Sequence, residues 1–122
     1  MLNKSQVIEK LLESYQFIRY VAIYTDNKLI SKQRESISDN SSSESDKYEE
    51  LIVNPALLTL ARQRGNIDCG GLDFLIISYG NFNQVIKEIK HGHISICLDK
   101  KTDLSKSLKS LFSFLHTVRN IL

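Results

Sequence analysis

His91 and His93 lie on either side of Gly92, and two histidines this close together could bind a metal ion. A protein zinc site usually needs three or four ligands, and no third ligand is apparent in the sequence. Across a tight hairpin, the two rings also tend toward different faces of the sheet. We therefore predict that the chain binds no metal and no cofactor.

A phosphate loop or a cysteine nucleophile is the second chemical interpretation, at Cys69, Gly70 and Gly71. The glycines belong to no GxxxxGKS or GxGxxG pattern, and they precede a predicted strand instead of opening a helix. His116 lies near the apolar stripe of a predicted helix, where a partly buried imidazole with satisfied hydrogen bonds is usual. Because no Ser, His and acid grouping stands out either, we predict that the chain is not an enzyme.

Length and composition predict one domain over residues 1–122. The 122 residues are 42% hydrophobic, which allows one buried core but not two. No apolar run is long enough to cross a bilayer, and the first residues lack the apolar stretch of a signal peptide. We therefore expect a cytoplasmic protein in which Cys69 and Cys97 are free thiols.

The net charge of +2 conceals an uneven distribution. Six acidic residues and one lysine lie between Glu35 and Glu50, a local balance of −5 that leaves +7 for the rest. The basic residues are spread singly over every segment, whereas a nucleic-acid-binding protein usually clusters them with aromatic residues. We predict no nucleic-acid binding.

The first half of the chain predicts a helix followed by a hairpin. The helix covers about residues 4–14, where Asn3 and Gln6 can form a capping box and apolar residues recur at helical spacing. An interior strand follows at residues 17–24, a turn at 25–28, and a second strand at 29–34. Lys32 and Arg34 predict that this second strand lies at the rim of the sheet.

A serine-rich, acidic segment, residues 35–47, is predicted to be a mobile loop. Its only large apolar residue is Ile37, so the segment cannot offset the entropy of becoming ordered. Serines precede acidic residues here, as Ser41 precedes Glu44, which would suit an acid-directed kinase. A plain solvated linker is the interpretation that we favour, and a kinase site is the alternative.

The second half predicts a helix, three strands and a closing helix. Asn54 and Pro55 start the helix, Gly65 stops it, and residues 47–53 add an extra turn before it. The strands are residues 72–79, 84–90 and 93–98, and the last two are joined by a turn at His91 and Gly92. A closing helix capped by Asp103 has one apolar stripe, formed by Leu104, Leu108, Leu111, Phe112, Leu115 and Val118.

The order helix, strand, strand, helix, three strands, helix predicts an α/β (α+β) fold with a five-stranded, mainly antiparallel sheet. This order resembles the roadblock family, the dynein light-chain type of domain that also occurs in bacterial and archaeal regulators of small GTPases. The most specific stretch is residues 74–98, with its glycine turns at Gly80 and Gly92. Longin and profilin-like folds share parts of the pattern, but the leading helix favours roadblock.

The resemblance implies that the third strand lies at a sheet edge, where two copies pair while their middle helices cross beside the seam. That strand has apolar residues on both faces. If its edge were unpaired, it would be prone to associate with other chains. The expected homodimer interface comprises Leu57, Leu60, Ala61, Leu72, Phe74, Leu75, Ile76, Ile77 and Ser78. The alternative is a monomer whose own loop covers these residues.

The resemblance also implies a function. A non-catalytic adaptor would present its dimer surface to a small GTPase or to another roadblock-like subunit. We expect Leu58, Arg62 and Arg64 to contact this partner, with the arginines at the rim. The alternative function is a profilin-like sensor, which would hold a small molecule in a cavity of several hundred Å³ between sheet and helix.

Overall fold

The computed structural model describes residues 2–35 and 43–122. Its elements are α1 (Lys4–Ser14), β1 (Ile18–Thr25), β2 (Lys28–Gln33), α2 (Ser43–Tyr48), a π-helical segment (Glu49–Val53), α3 (Asn54–Asp68), β3 (Leu75–Ser78), β4 (Phe82–Ile89), β5 (Gly92–Asp99) and α4 (Leu104–Thr117). The three helical pieces from α2 to α3 follow one another without a break, and together they are called the middle helix. The predicted order and fold class are confirmed.

All five strands form one sheet, in the order β2-β1-β5-β4-β3 with antiparallel neighbours throughout. The chain makes one hairpin from β1 and β2 and a second antiparallel group from β3, β4 and β5. The two groups join where β1 pairs with β5. Both strands that the sequence places at the rim, β2 and β3, are therefore edge strands.

Helices α1 and α4 cover one face of the sheet with the apolar core. Asn3 accepts from the Gln6 backbone N–H and the Gln6 side chain accepts from the Asn3 N–H, which is the predicted capping box. The core joins Val7, Ile8, Leu11, Leu12, Leu111 and Leu115 of these helices to Ile18, Val21, Ile23, Val85, Ile94, Ile96 and Leu98 of the strands. Full burial of each such side chain contributes roughly 1.5–3 kcal/mol. Within the described ranges, no helix has the length and apolar character needed to span a membrane.

The middle helix covers the opposite face and differs from its prediction at both ends. Asn54 does not cap a helix, because the chain is already helical before it, and its buried side chain donates to Glu50 Oε1 at 2.9 Å. Gly65 does not end the helix, which continues to Asp68. Instead, a Cβ at Gly65 would lie 3.0 Å from the Gly71 carbonyl carbon, so the glycine permits close packing of the chain that follows.

The predicted serine-rich loop is wrong at its C-terminal end, because Ser43–Tyr48 is helical. Two hydrogen bonds to residues in or beside the sheet explain why this part of the chain is helical. Gln33 Nε2 donates to Asp46 Oδ2 at 2.8 Å, and Tyr79 OH donates to Glu49 Oε1 at 2.9 Å. Composition alone does not contain these tertiary contacts. Residues 36–42, with Ile37 and Ser41, lie outside the described residues, so mobility there stays a prediction.

The two tight hairpins use left-handed residues. Asp26 and Asn27 have φ of 52° and 64°, as the turn predicted at residues 25–28 requires. The second turn lies one residue earlier than predicted: Lys90 and His91 form it, and His91 has φ of 64°. Gly92 opens β5 and allows close strand contact, since a Cβ there would lie 1.8 Å from the Tyr24 carbonyl oxygen.

Candidate interaction surface

The free edge of β3 carries backbone groups that point away from the sheet. Tyr79 N–H donates to the Phe82 carbonyl at 2.9 Å, so this pair is a hydrogen-bonded one. Antiparallel ladders alternate, which directs Ile77 and Leu75 toward β4 and directs the N–H and C=O groups of Ile76 and Ser78 outward. A second strand could form a regular ladder with these outward groups.

The side chains of β3 are apolar on both faces and incompletely covered. Ile76 is 38% exposed, and Leu75 and Ile77 are half-buried. Ser78 is exposed, and its hydroxyl accepts a hydrogen bond from Lys100 Nζ. These four residues of the expected interface therefore lie where a partner strand would meet them.

Leu72 and Phe74, also expected at the interface, precede the strand, which is shorter than predicted. Lys87 Nζ donates to the Asp73 backbone carbonyl at 3.0 Å and to its Oδ1 at 2.9 Å. At Asp73 the chain is therefore bonded to β4 through the Lys87 side chain and not through strand-to-strand backbone hydrogen bonds. The Phe74 ring packs on Phe112 of α4 with ring centroids 4.7 Å apart. Phe74 is thus largely committed to its own chain.

The outer side of the middle helix adds apolar surface. Leu60 is 66% exposed, Leu57 is exposed to a smaller degree, and Ala61 is half-buried. Sequence reasoning missed four further exposed apolar residues on the same helix, Tyr48, Leu51, Ile52 and Ile67. The run YEELIV, apolar on several sides and placed before the expected helix start, was the signal for three of them.

Leu58 is a wrong prediction, because it is 4% exposed and faces the sheet, so it is not available to a partner. Leu57 and Leu60, which were expected at the homodimer interface, face outward. Arg62 pairs with Glu88 on β4. Arg64 pairs with Asp68 at 2.6 Å on the exposed surface, and this hydrogen bond lowers the pKa of the Asp68 carboxyl. Both arginines are partly accessible.

Comparison of the whole chain with known proteins agrees with this architecture. No protein-family model and no curated protein sequence matches the chain. The solved structures that are similar over nearly all of it include three proteins. The Roadblock/LC7 domain from Streptomyces avermitilis has a TM-score of 0.73 at 10% identity, covering 98% of this chain and 97% of that chain. The gliding protein MglB from Thermus thermophilus has a TM-score of 0.66 at 15% identity, covering 96% and 86%.

MglC from Myxococcus xanthus is the third, with a TM-score of 0.61 at 11% identity, covering 97% of this chain and 98% of that chain. The chain has the roadblock fold. At these identities the likeness establishes the architecture alone, and the confirmed element order agrees with the resemblance inferred from sequence.

A buried polar cluster lies between the middle helix and the sheet of this roadblock fold. Glu50 Oε1 lies 2.8 Å from His93 Nε2 and accepts from Asn54 Nδ2 at 2.9 Å, and all three residues are buried. Sequence reasoning placed His93 in a hairpin strand but missed Glu50 as its partner. No group of three His, Cys, Asp or Glu side chains able to hold a metal occurs in residues 2–35 or 43–122.

An open cleft of about 310 Å³, called the acidic cleft, adjoins this cluster. Tyr20, Gln84 and Cys97 of the strands line one side of it, and Asp46, Glu49 and Tyr79 line another. Burial raises the pKa of the Tyr20 hydroxyl and of the Cys97 thiol, and the nearby Glu50 and Asp46 carboxylates add to both shifts. Burial therefore disfavours the thiolate form of Cys97.

Proposed function

We propose that this protein is a non-catalytic, dimeric adaptor or regulator that binds a small GTPase or another roadblock-like subunit. The observation that carries the proposal is the apolar free edge of β3, where Ile76 is exposed beside outward-pointing backbone groups. Natural proteins protect such edges or pair them. The roadblock fold and the similarity to MglB and MglC support this function class.

The proposed dimer joins the β3 strands of two copies across a two-fold axis. Ile76 and Ser78 of each copy would supply the ladder bonds. Leu57, Leu60 and Ala61 would pack beside the seam, together with Leu75 and Ile77. Removing these apolar side chains from water stabilises the pairing by roughly 25 cal/mol for each Å² buried.

The proposed partner surface is the remaining exposed part of the middle helix. Its apolar residues are Tyr48, Leu51, Ile52 and Ile67. Arg64 lies on the same helix with an accessible guanidinium, and arginine beside aromatic and aliphatic residues is a common composition for protein interfaces. Leu58 takes no part in this surface because it is buried.

Sedimentation of the purified chain tests the dimer. At micromolar concentration the mass should be about twice the 14.0 kDa of one chain. Ile76→Lys places a charge at the seam and should give monomer or aggregate. A dimer that is unaffected by this substitution would contradict the proposed seam.

Affinity capture from the native cytoplasm tests the partner. The wild-type chain should retain a small GTPase or a roadblock-like subunit, and a Leu51→Glu, Ile52→Glu double variant should lose it because both side chains are exposed on the proposed surface. Gln63→Glu, an exposed polar site on the same helix, is the matched control. Recovery of neither class of protein would favour the profilin-like sensor, for which the acidic cleft is the candidate ligand site.

A further inference from the structure

The acidic cleft contains buried hydrogen-bonding groups that the protein itself leaves unused. Glu50 is 0% exposed, and its Oε2 has no hydrogen-bond partner among the described residues, although Oε1 has two. Gln84 is 1% exposed and donates from Nε2 to Ser95 Oγ at 2.6 Å, while its Oε1 likewise has no partner in that part of the chain. Both residues line the cleft. Buried acceptors without donors are costly, so these atoms indicate a ligand that donates.

The charge of the cleft selects a positive ligand. Asp46, Glu49 and Glu50 place three carboxylates along it, and the one lysine or arginine that the described residues contribute to its lining is Arg19. Arg19 Nη1 is 3.3 Å from Asp99 Oδ1, outside the cleft, so its charge is already engaged. Burial raises the pKa of Asp46 and of Glu49, and the Glu50 carboxylate adds to both shifts, as expected where negative charge lacks compensation.

The walls of the cleft suit an organic cation. Tyr20, Tyr79 and Phe82 line it, and the Tyr79 and Phe82 rings lie 5.4 Å apart between centroids. The Arg19 guanidinium carbon already lies 5.9 Å from the Phe82 centroid, so the rings left for a ligand are those of Tyr20 and Tyr79. Aromatic faces attract ammonium and guanidinium groups. The volume of about 310 Å³ is at the small end of ligand pockets, which fits one side chain or a slender amine.

We propose that the acidic cleft binds an ammonium or guanidinium group on a slender aliphatic chain. Asp46 and Glu49 pair with the charge. The Gln84 and Glu50 oxygens, which are buried from solvent in this structure, accept its N–H groups once their side chains shift toward it. Two sources carry this chemistry: a free aliphatic amine, or a Lys or Arg side chain of a bound protein. This site is separate from the β3 edge and goes beyond the adaptor function.

Calorimetric titration of the purified full chain with agmatine and with butylamine tests the proposal. At least one of these cations should bind saturably at one site per chain, whereas 1-butanol, which has the same slender shape without charge, should not bind. Absence of saturable binding for both cations at millimolar concentration would overturn the proposal. Equal binding of 1-butanol would also overturn it, because the cleft would then recognise only apolar shape.

Substitutions locate the binding. Asp46→Asn with Glu49→Gln keeps an acceptor for Gln33 and for Tyr79 but removes both charges, and it should weaken cation binding about tenfold or more. Glu44→Gln is the matched control, since Glu44 is an exposed acid on the same helix outside the cleft lining, and it should leave affinity within about twofold. An equal loss in both variants would show attraction by net charge alone and reject the site.

Capped tripeptides with Lys or Arg between two glycines identify the source. Binding of a tripeptide as tight as that of the free amine assigns the cleft to a protein side chain, and binding of the free amine alone assigns it to a small molecule. The citrulline tripeptide, which is neutral, should not bind in either case. The monomeric fraction of the Ile76→Lys variant, isolated by size-exclusion chromatography, should bind the cation like the wild type, so that loss of the dimer and loss of cation binding are distinguished.

Discussion

The two edges of the sheet are built differently. β2 is six residues long and exposes Lys28 and Lys32, and Lys32 Nζ donates to Glu9 Oε1 of α1 at 2.8 Å. β3 is four residues long, has no charged residue, and exposes Ile76. Lysines on an edge strand discourage pairing with another chain, because pairing would bury their charges. The comparison shows that this chain protects one edge and leaves the other able to pair.

Arg34, which follows β2, links the protected edge to α1 and to the start of β1. Its Nε donates to the Ile18 carbonyl at 2.8 Å, and its Nη2 donates to the carbonyls of Leu12 and Tyr15 at 2.8 and 3.0 Å. The guanidinium thereby satisfies the carboxyl end of α1 and the start of β1 together. Sequence reasoning identified Arg34 only as an edge charge, whereas the structure gives it a bonding role between elements.

The protected edge also supplies a matched control position. Arg34 N–H donates to the Arg19 carbonyl at 2.8 Å, so the alternation directs the Lys32 backbone toward β1 and the Ser31 backbone outward. Ser31 of β2 and Ile76 of β3 are therefore equivalent: each has an outward N–H on an edge strand. They differ in the side chains of their strands, because β2 exposes two lysines whereas β3 has no charged residue.

Proline at these two positions gives the largest expected contrast. Ile76→Pro removes one outward N–H and the exposed side chain without removing a bond to β4, so it should weaken the dimer about 100-fold or more. Ser31→Pro removes the equivalent N–H of β2 and should leave the dimer intact. Sedimentation equilibrium over a concentration series measures both dissociation constants. If both substitutions raised the dimer dissociation constant equally, the two edges would not differ in their ability to pair.

Leu60→Glu should have the next largest effect. Leu60 is 66% exposed, so a polar replacement costs the isolated chain little, but burial of a carboxylate beside the seam should weaken the dimer about tenfold. Gln63→Glu on the same helix is the charge-matched control. A dimer that tolerates Leu60→Glu as well as the control would remove the middle helix from the interface and leave the β3 edge alone.

Arg34→Lys should affect stability but not association. An ammonium cannot reproduce a fork that donates to three carbonyls, so the free energy of unfolding should fall by about 1 kcal/mol. Urea unfolding measures this change, and sedimentation should show a wild-type dimer. A loss of dimer in this variant would indicate that the two edges are coupled and do not act independently.

Glu49→Gln should give the smallest effect, visible only as a pH dependence. Tyr79, which follows β3, donates to Glu49, and burial raises the pKa of this carboxyl above its ordinary value of 4.5. A carboxyl whose pKa rises on folding binds its proton more tightly in the folded chain. Its contribution to stability is therefore fully present below 4.5 and is lost as the pH rises through the folded value.

The measurement is the difference in urea midpoint between wild type and Glu49→Gln at about pH 5 and pH 7. The urea midpoint of the wild type, relative to that of the variant, should be higher at about pH 5 than at about pH 7. The opposite sign for Glu49→Gln would mean that the bond from Tyr79 outweighs burial.

Most elements could be predicted from the sequence because local patterns determine them, whereas the edge position of β3 was implied by the family resemblance. The capping box of Asn3 and Gln6 and the apolar run of β3 each depend on neighbours a few residues away. The burial of Leu58 and Glu50 in the middle helix could not be predicted, since the usual rule turns a stripe of apolar residues toward the sheet. Here the sheet beneath presents His93, so Glu50 is buried with it and Leu60 faces outward.

The acidic cleft could not be predicted for a related reason. Asp46 and Glu49 belong to an acidic stretch whose composition predicts a solvated loop or a short helical turn. Their surroundings come from residues distant in sequence: Gln33 on β2 contacts Asp46, and Tyr79 after β3 contacts Glu49. Such contacts depend on the order of strands in the sheet, which a single sequence contains only indirectly.

Amide hydrogen exchange at the two edges tests the central claim most directly. At concentrations above the dimer dissociation constant, the Ile76 and Ser78 amides should be protected, while the outward Ser31 amide exchanges rapidly. Dilution below that constant should make all three exchange at similar rates. Rapid exchange of Ile76 and Ser78 at every concentration, equal to that of Ser31, would contradict the claim that the open edge of β3 pairs with a second copy.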